Sequence, residues 1–145
     1  MLNKLLKLFT EPQPQRSEHS LALASAVLMA EVMRADHEID QLERNAMSQA
    51  LVESLQLQEE EVRELMDEAI AAADIANDLQ QFTRVIHDQC DEQQKFVVVC
   101  NLWRIALASD GIDKYEEHII RRIAELLYLP HSEFIRAKAV AKAEQ

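Results

Sequence analysis

Asp36, Asp40 and Glu43 recur, with nearly the same spacing, as Asp110, Asp113 and Glu116 later in the chain. Carboxylate oxygens that converge from a turn suit hard cations, Ca²⁺ or Mg²⁺, better than soft metals. The residues around them repeat as well. Leu28, Val32 and Asp36 fall on Leu102, Ala106 and Asp110; the first copy then has one extra residue, after which Ile39-Asp40-Gln41-Leu42-Glu43 falls on Ile112-Asp113-Lys114-Tyr115-Glu116. Each copy reads as helix, Asp, short turn, Ile-Asp-x-x-Glu, helix. Two helix–turn–helix halves related by a pseudo-twofold axis would position these acids.

The six acids divide by their place on the helices. Asp40 with Glu43, and Asp113 with Glu116, have the spacing of an N-cap Asp and its N3 Glu, which a capping box explains with no ligand. Asp36 and Asp110 close the preceding helices, where a negative charge opposes the helix dipole by about 0.3–1 kcal/mol. A cation would compensate that placement. So would bonds to backbone amides of the next helix, or a neighbouring Arg. Gly111 allows the second turn a positive φ, whereas the first turn has His37-Glu38. His37 is either an extra ligand or an exposed side chain. The loops are too short, and their oxygen series too sparse, for an EF-hand.

Helical periodicity supplies the rest of the scaffold. The domain is expected to start near Ser17 as an N-cap, with a helix over about 18–35 striped by Leu21, Ser25, Leu28, Val32 and Ala35. A second, about 40–56, carries Leu42, Ala46, Ala50 and Leu51. A third, about 58–76, opens on Glu59-Glu60-Glu61 and buries Val62, Leu65, Met66, Ala69 and Ala73; a fourth, about 79–89, shows Leu79, Phe82 and Ile86. Phe96–Ala108 is polar only at Asn101 and Arg104, so it is expected to be the central buried helix, capped by Asp91 and Gln94. A sixth, about 113–128, shows Ile112, Tyr115, Ile119, Ile123 and Leu127; after Pro130 a last helix, about 131–143, turns Phe134 and Ile135 inward. The prediction is an all-α single-domain bundle of about seven helices over 17–145.

Residues 1–16 form a separate amphipathic N-terminal segment and linker. Leu2, Leu5, Leu6 and Phe9 share a face, Lys4 and Lys7 lie between them, and Pro12 and Pro14 stiffen the connector to the domain. Such a segment suits peripheral membrane contact or a partner anchor, or a terminal helix folded back onto the domain. Two lysines on one short helix bind a bilayer poorly, which favours the fold-back role.

Composition excludes several classes. The 145 residues include one glycine, too few for a phosphate-cradling loop or a sheet rich in tight hairpins. With 15 basic and 26 acidic residues the net charge is −11, which argues against nucleic acid as a partner and favours cations or a basic protein. Cys90 and Cys100 are too few for a disulfide framework and fit reduced thiols in a cytoplasmic protein. No apolar run reaches the length of a membrane span. Catalytic motifs are missing: no Glu-x-x-His pair, no second His after His37-Glu38, and no partner pair for His87 and Cys90 to make a zinc site. Trp103 reads as a core residue. An enzyme is therefore not expected.

Leu102-Trp103-x-Ile105-Ala106-x-Ala108-x-Asp110-Gly111-Ile112-Asp113-x-x-Glu116, with its echo at Ala35-Asp36 and Ile39-Asp40-x-x-Glu43, resembles the tellurite-resistance protein B (TerB-like) family over about residues 20–140. The resemblance implies an all-helical domain with two pseudo-symmetric halves. It also implies divalent-cation binding by Asp36, Asp40, Glu43, Asp110, Asp113 and Glu116 and a non-enzymatic role in stress response or as a scaffold. A similar domain fronts a membrane-anchored DnaJ-type co-chaperone, so the alternative is a co-chaperone-like interaction module with an acidic docking surface and no metal.

Overall fold

The computed structural model describes residues 20–35, 39–76, 78–109 and 114–145. Seven helices account for most of these: α1 (Leu21–Arg34), α2 (Gln41–Leu55), α3 (Glu59–Ile75), α4 (Gln80–Gln89), α5 (Glu92–Ala106), α6 (Lys114–Leu126) and α7 (His131–Ala143). No strand occurs among the described residues. The all-α single domain expected from the sequence is present. The amphipathic residues 1–9 and Ser17 lie outside the described residues.

Local chemistry sets most helix ends. Ser20 caps α1, its Oγ accepting from Leu23 N–H at 3.0 Å. The predicted box at α5 is closed in both directions: Gln94 N–H donates to Asp91 Oδ1 and Asp91 N–H to Gln94 Oε1, each at 2.8 Å. Gln58 and Glu61 make a similar box at α3. Pro130 precedes α7, where its missing N–H costs nothing.

The scarce glycine is replaced at two helix ends. Gln56, after α2, has φ 56°, and Tyr128, after α6, has φ 61°. At Tyr128 the chain makes a Schellman motif, with Leu129 N–H donating to Ala124 O and Tyr128 N–H to Glu125 O, both at 3.0 Å. The Tyr128 ring packs against His87 of α4, its centroid 4.9 Å away, so the side chain has a use that glycine would lack.

The centre of the domain is α1, not α5 as the apolar run suggested. Ala24 through Ala30 are all buried, as are Val32 and Met33. Helices α2 to α6 all touch α1. Its alanines and Ser25 let those neighbours approach closely, so a helix with few large residues can be enclosed. In α5 burial is nearly continuous only from Val99 to Ala106; before it Lys95 is buried but Val97 stays 41% exposed. Trp103 is in the core as expected, 5.3 Å from the Phe134 ring of α7. Ile135 turns outward instead of inward.

The two halves interlock. The hairpins are α1–α2 and α5–α6, and the first helix of each packs on the second helix of the other, α1 on α6 and α5 on α2, while α1 and α5 also meet. This reciprocal packing is what a pseudo-twofold pair of hairpins produces.

Candidate functional site at the paired acidic turns

Of the six acids of the repeat, Asp40 and Glu43 sit where α2 begins and Glu116 where α6 begins. Asp40 is the N-cap of α2, and its Oδ1 accepts from Leu42 N–H at 2.6 Å. The cap bond therefore goes to the second helical residue and not to Glu43, so the predicted Asp40–Glu43 box is not how α2 starts. Asp36, Asp110, Gly111, Asp113 and His37 lie outside the described residues.

Glu43 and Glu116 hold the unexpected positions. Each is 1% exposed, in the first turn of its helix. Glu43 continues into the buried series Met47, Ala50 and Leu51; Glu116 continues into Ile120, Ile123 and Ala124 with identical spacing. Their sequence neighbours, expected to point inward, do the opposite: Leu42 is 55% and Tyr115 58% exposed. In the first turn of each helix the covered position is one residue later than expected, whereas Ala50, Leu51, Ile123 and Leu127 of the expected stripes are buried. Ionised carboxylates with so little water need hydrogen-bond donors or cations around them.

One such donor comes from the other half. Ser109 Oγ donates to Glu43 Oε2 at 3.1 Å, across 66 residues of sequence. Ser109 immediately precedes Asp110, so the first copy's glutamate meets the second copy's turn. Sequence reasoning treated the turns separately and missed Ser109. The available signal was the shared buried register of Glu43 and Glu116, visible once both helices are aligned on their later apolar positions.

Two arginines close the helices that feed the turns. Arg34, the last residue of α1, bonds Glu31 at 2.7 Å, Asp74 at 3.0 Å and the Ala73 carbonyl at 2.9 Å. Arg104 of α5 holds both carboxylate oxygens of Glu144, at 2.7 and 2.8 Å, and donates to Asn101 Oδ1 at 2.6 Å. The Arg104–Glu144 hydrogen bond holds the Glu144 carboxyl below its ordinary range and raises Arg104. Asn101 in turn donates to Ser54 Oγ of α2 at 2.9 Å, which explains the polar residues in the apolar run of α5.

Among the described residues, no group of three or more His, Cys, Asp or Glu side chains is arranged to hold a metal ion. His87 and Cys90 do not converge on a zinc site: His87 Nδ1 lies 2.6 Å from Lys95 Nζ, and burial, followed by the Asp91 charge, pushes the Cys90 thiol up. Both cysteines are free. No helix among the described residues is long and apolar enough to cross a membrane.

Two interlocked helical hairpins, with a buried glutamate in the first turn of each second helix, define an all-helical domain. The family model for tellurite resistance protein TerB matches residues 22–139, and the chain belongs to that family. A crystal structure of a protein of unknown function from Porphyromonas gingivalis W83 has a similar fold, with a TM-score of 0.57 and 24% identity, covering 88% of this chain and 99% of that one. A search of curated proteins gives no match.

Proposed function

We propose that this TerB-family domain binds a divalent cation, Ca²⁺ or Mg²⁺, at its acidic turns and acts without catalysis, as a scaffold or stress-response module in the cytoplasm. The observation that carries the reading is the twofold burial of a carboxylate, Glu43 and Glu116, at equivalent places in the first turns of α2 and α6. Both glutamates belong to the repeated Ile-Asp-x-x-Glu element, which follows a further aspartate in each copy. The donors available are oxygens, which suits a hard cation. Asp110, Asp113 and Glu116, with Asp36, Asp40 and Glu43, would supply them, and Gly111 favours the second turn. Calorimetry with Ca²⁺, Mg²⁺ and Zn²⁺ tests the proposal. Binding of Ca²⁺ or Mg²⁺ should disappear in Asp110→Asn/Asp113→Asn. Absence of heat and of any thermal shift at millimolar metal would overturn it, because a ligand of the native state must stabilise that state.

A second reading rests on α3, whose exposed face presents Glu59, Glu60, Glu61, Glu64, Asp67 and Glu68. Such a surface suits a basic protein partner. Charge reversal at Glu60, Glu64 and Asp67 should abolish capture of that partner in a pull-down; an unchanged set of captured proteins would dismiss this reading.

A further inference from the structure

An apolar groove of about 200 Å³ opens between α1, α2 and the first half of α5. The buried Met29 and Leu51 form its floor, and Leu21, Leu55, Val97 and Val98 its walls. Leu21 is the first residue of α1, so the preceding chain joins the domain at the groove's edge.

That preceding chain has the complementary chemistry. Residues 1–9 carry the stripe Leu2, Leu5, Leu6 and Phe9, with Lys4 and Lys7 and no acid, in a chain of net charge −11. Acids stand at one end of the groove: the exposed Asp91 and Glu92 open α5 between the lining residues Cys90 and Gln94. Residues 10–19 can span up to about 33–36 Å when extended, far more than the roughly 14 Å length of a nine-residue helix. The volume also suits one or two of these side chains, since a cavity of about 150 Å³ already accepts a benzene ring.

We infer that residues 1–9 of the same chain seat their leucine–phenylalanine stripe in the groove between α1, α2 and α5. Lys4 and Lys7 then face the acids at its margin. A segment held this way is an intramolecular cover for the domain's apolar face.

Cys90 lines the groove and is half-buried, whereas Cys100 is 2% exposed. Alkylation of Cys90 by N-ethylmaleimide therefore reports the cover, and Cys100 reports the core. The experiment compares the full chain with Leu5→Ser/Leu6→Ser at low micromolar protein. Cys90 should react at least about tenfold faster in the variant, the factor given by ~1.4 kcal/mol of docking, while Cys100 stays unreactive in both. In a Leu6→Cys/Cys100→Ser chain, mild oxidation should join the introduced thiol to Cys90 within one monomer. Equal Cys90 rates in the two proteins would overturn the inference. So would cross-links found only between chains, which would seat a second copy there, or protection that arises only when anionic vesicles are added.

Discussion

Ser109→Ala should destabilise the protein by way of Glu43, on the far side of the repeat. The Ser109 hydroxyl donates to a carboxylate that is 1% exposed, at 3.1 Å. Hydrogen bonds to charged groups contribute about 1.5–3 kcal/mol, and the half-buried serine places this one near the lower bound, ~1.5 kcal/mol. For a chain of this size that corresponds to a fall in Tm of roughly 5 °C. The attribution is checked by a double-mutant cycle with Glu43→Met, which keeps side-chain length and removes the charge. Glu43→Met alone reports a mixture of lost bonds and relieved desolvation, but the cycle isolates the pair. In urea titrations at pH 7, Ser109→Ala should cost about 1.5 kcal/mol in the natural background and less than about 0.5 kcal/mol beside Met at position 43. An equal cost in both backgrounds, or no cost in the natural one, would refute the claim that the two turns are coupled through this contact.

The shifted first turn has its own test: Leu42→Ser should change stability by about 0.5 kcal/mol or less, while Met47→Ala and Ile120→Ala should each cost about 2–5 kcal/mol by chemical denaturation. Phe134→Ala removes a buried ring packed on Trp103 and should cost about 3–5 kcal/mol, with a change in Trp103 fluorescence on the same titration. Because Arg104 lowers the folded-state pKa of Glu144, the unfolded chain binds more protons in the acid range; the pair's contribution is present above the ordinary carboxylate pKa and is lost as pH falls through the folded value. Glu144→Gln should therefore be less stable than the natural protein at pH 7 and should lose less stability between pH 7 and acid, as read from urea midpoints; parallel pH profiles would contradict this.

Helix identity and most helix ends followed from local sequence. The Asp91–Gln94 box and Pro130 act on backbone groups within four residues, so no distant contact was needed to place them, whereas α1 is capped by Ser20, three residues beyond the expected Ser17. The repeat likewise announced two paired hairpins. Which side of α2 and α6 would be covered was not local information. Residues 42 and 43, like 115 and 116, are neighbours about 100° apart around a helix, and apolarity favoured Leu42 and Tyr115. Packing against the other hairpin selected Glu43 and Glu116 instead, because α2 is fixed against α5, and α6 against α1, by the larger set of apolar contacts further along each helix. The same kind of reason put α1 at the centre: small residues look ordinary in a pattern of hydrophobicity, yet they are what lets five helices close around one. The sequence by itself determined the helices, their caps and the existence of the acidic turns. Tertiary packing decided that two glutamates would be buried there and that Ser109 of one turn would reach the glutamate of the other.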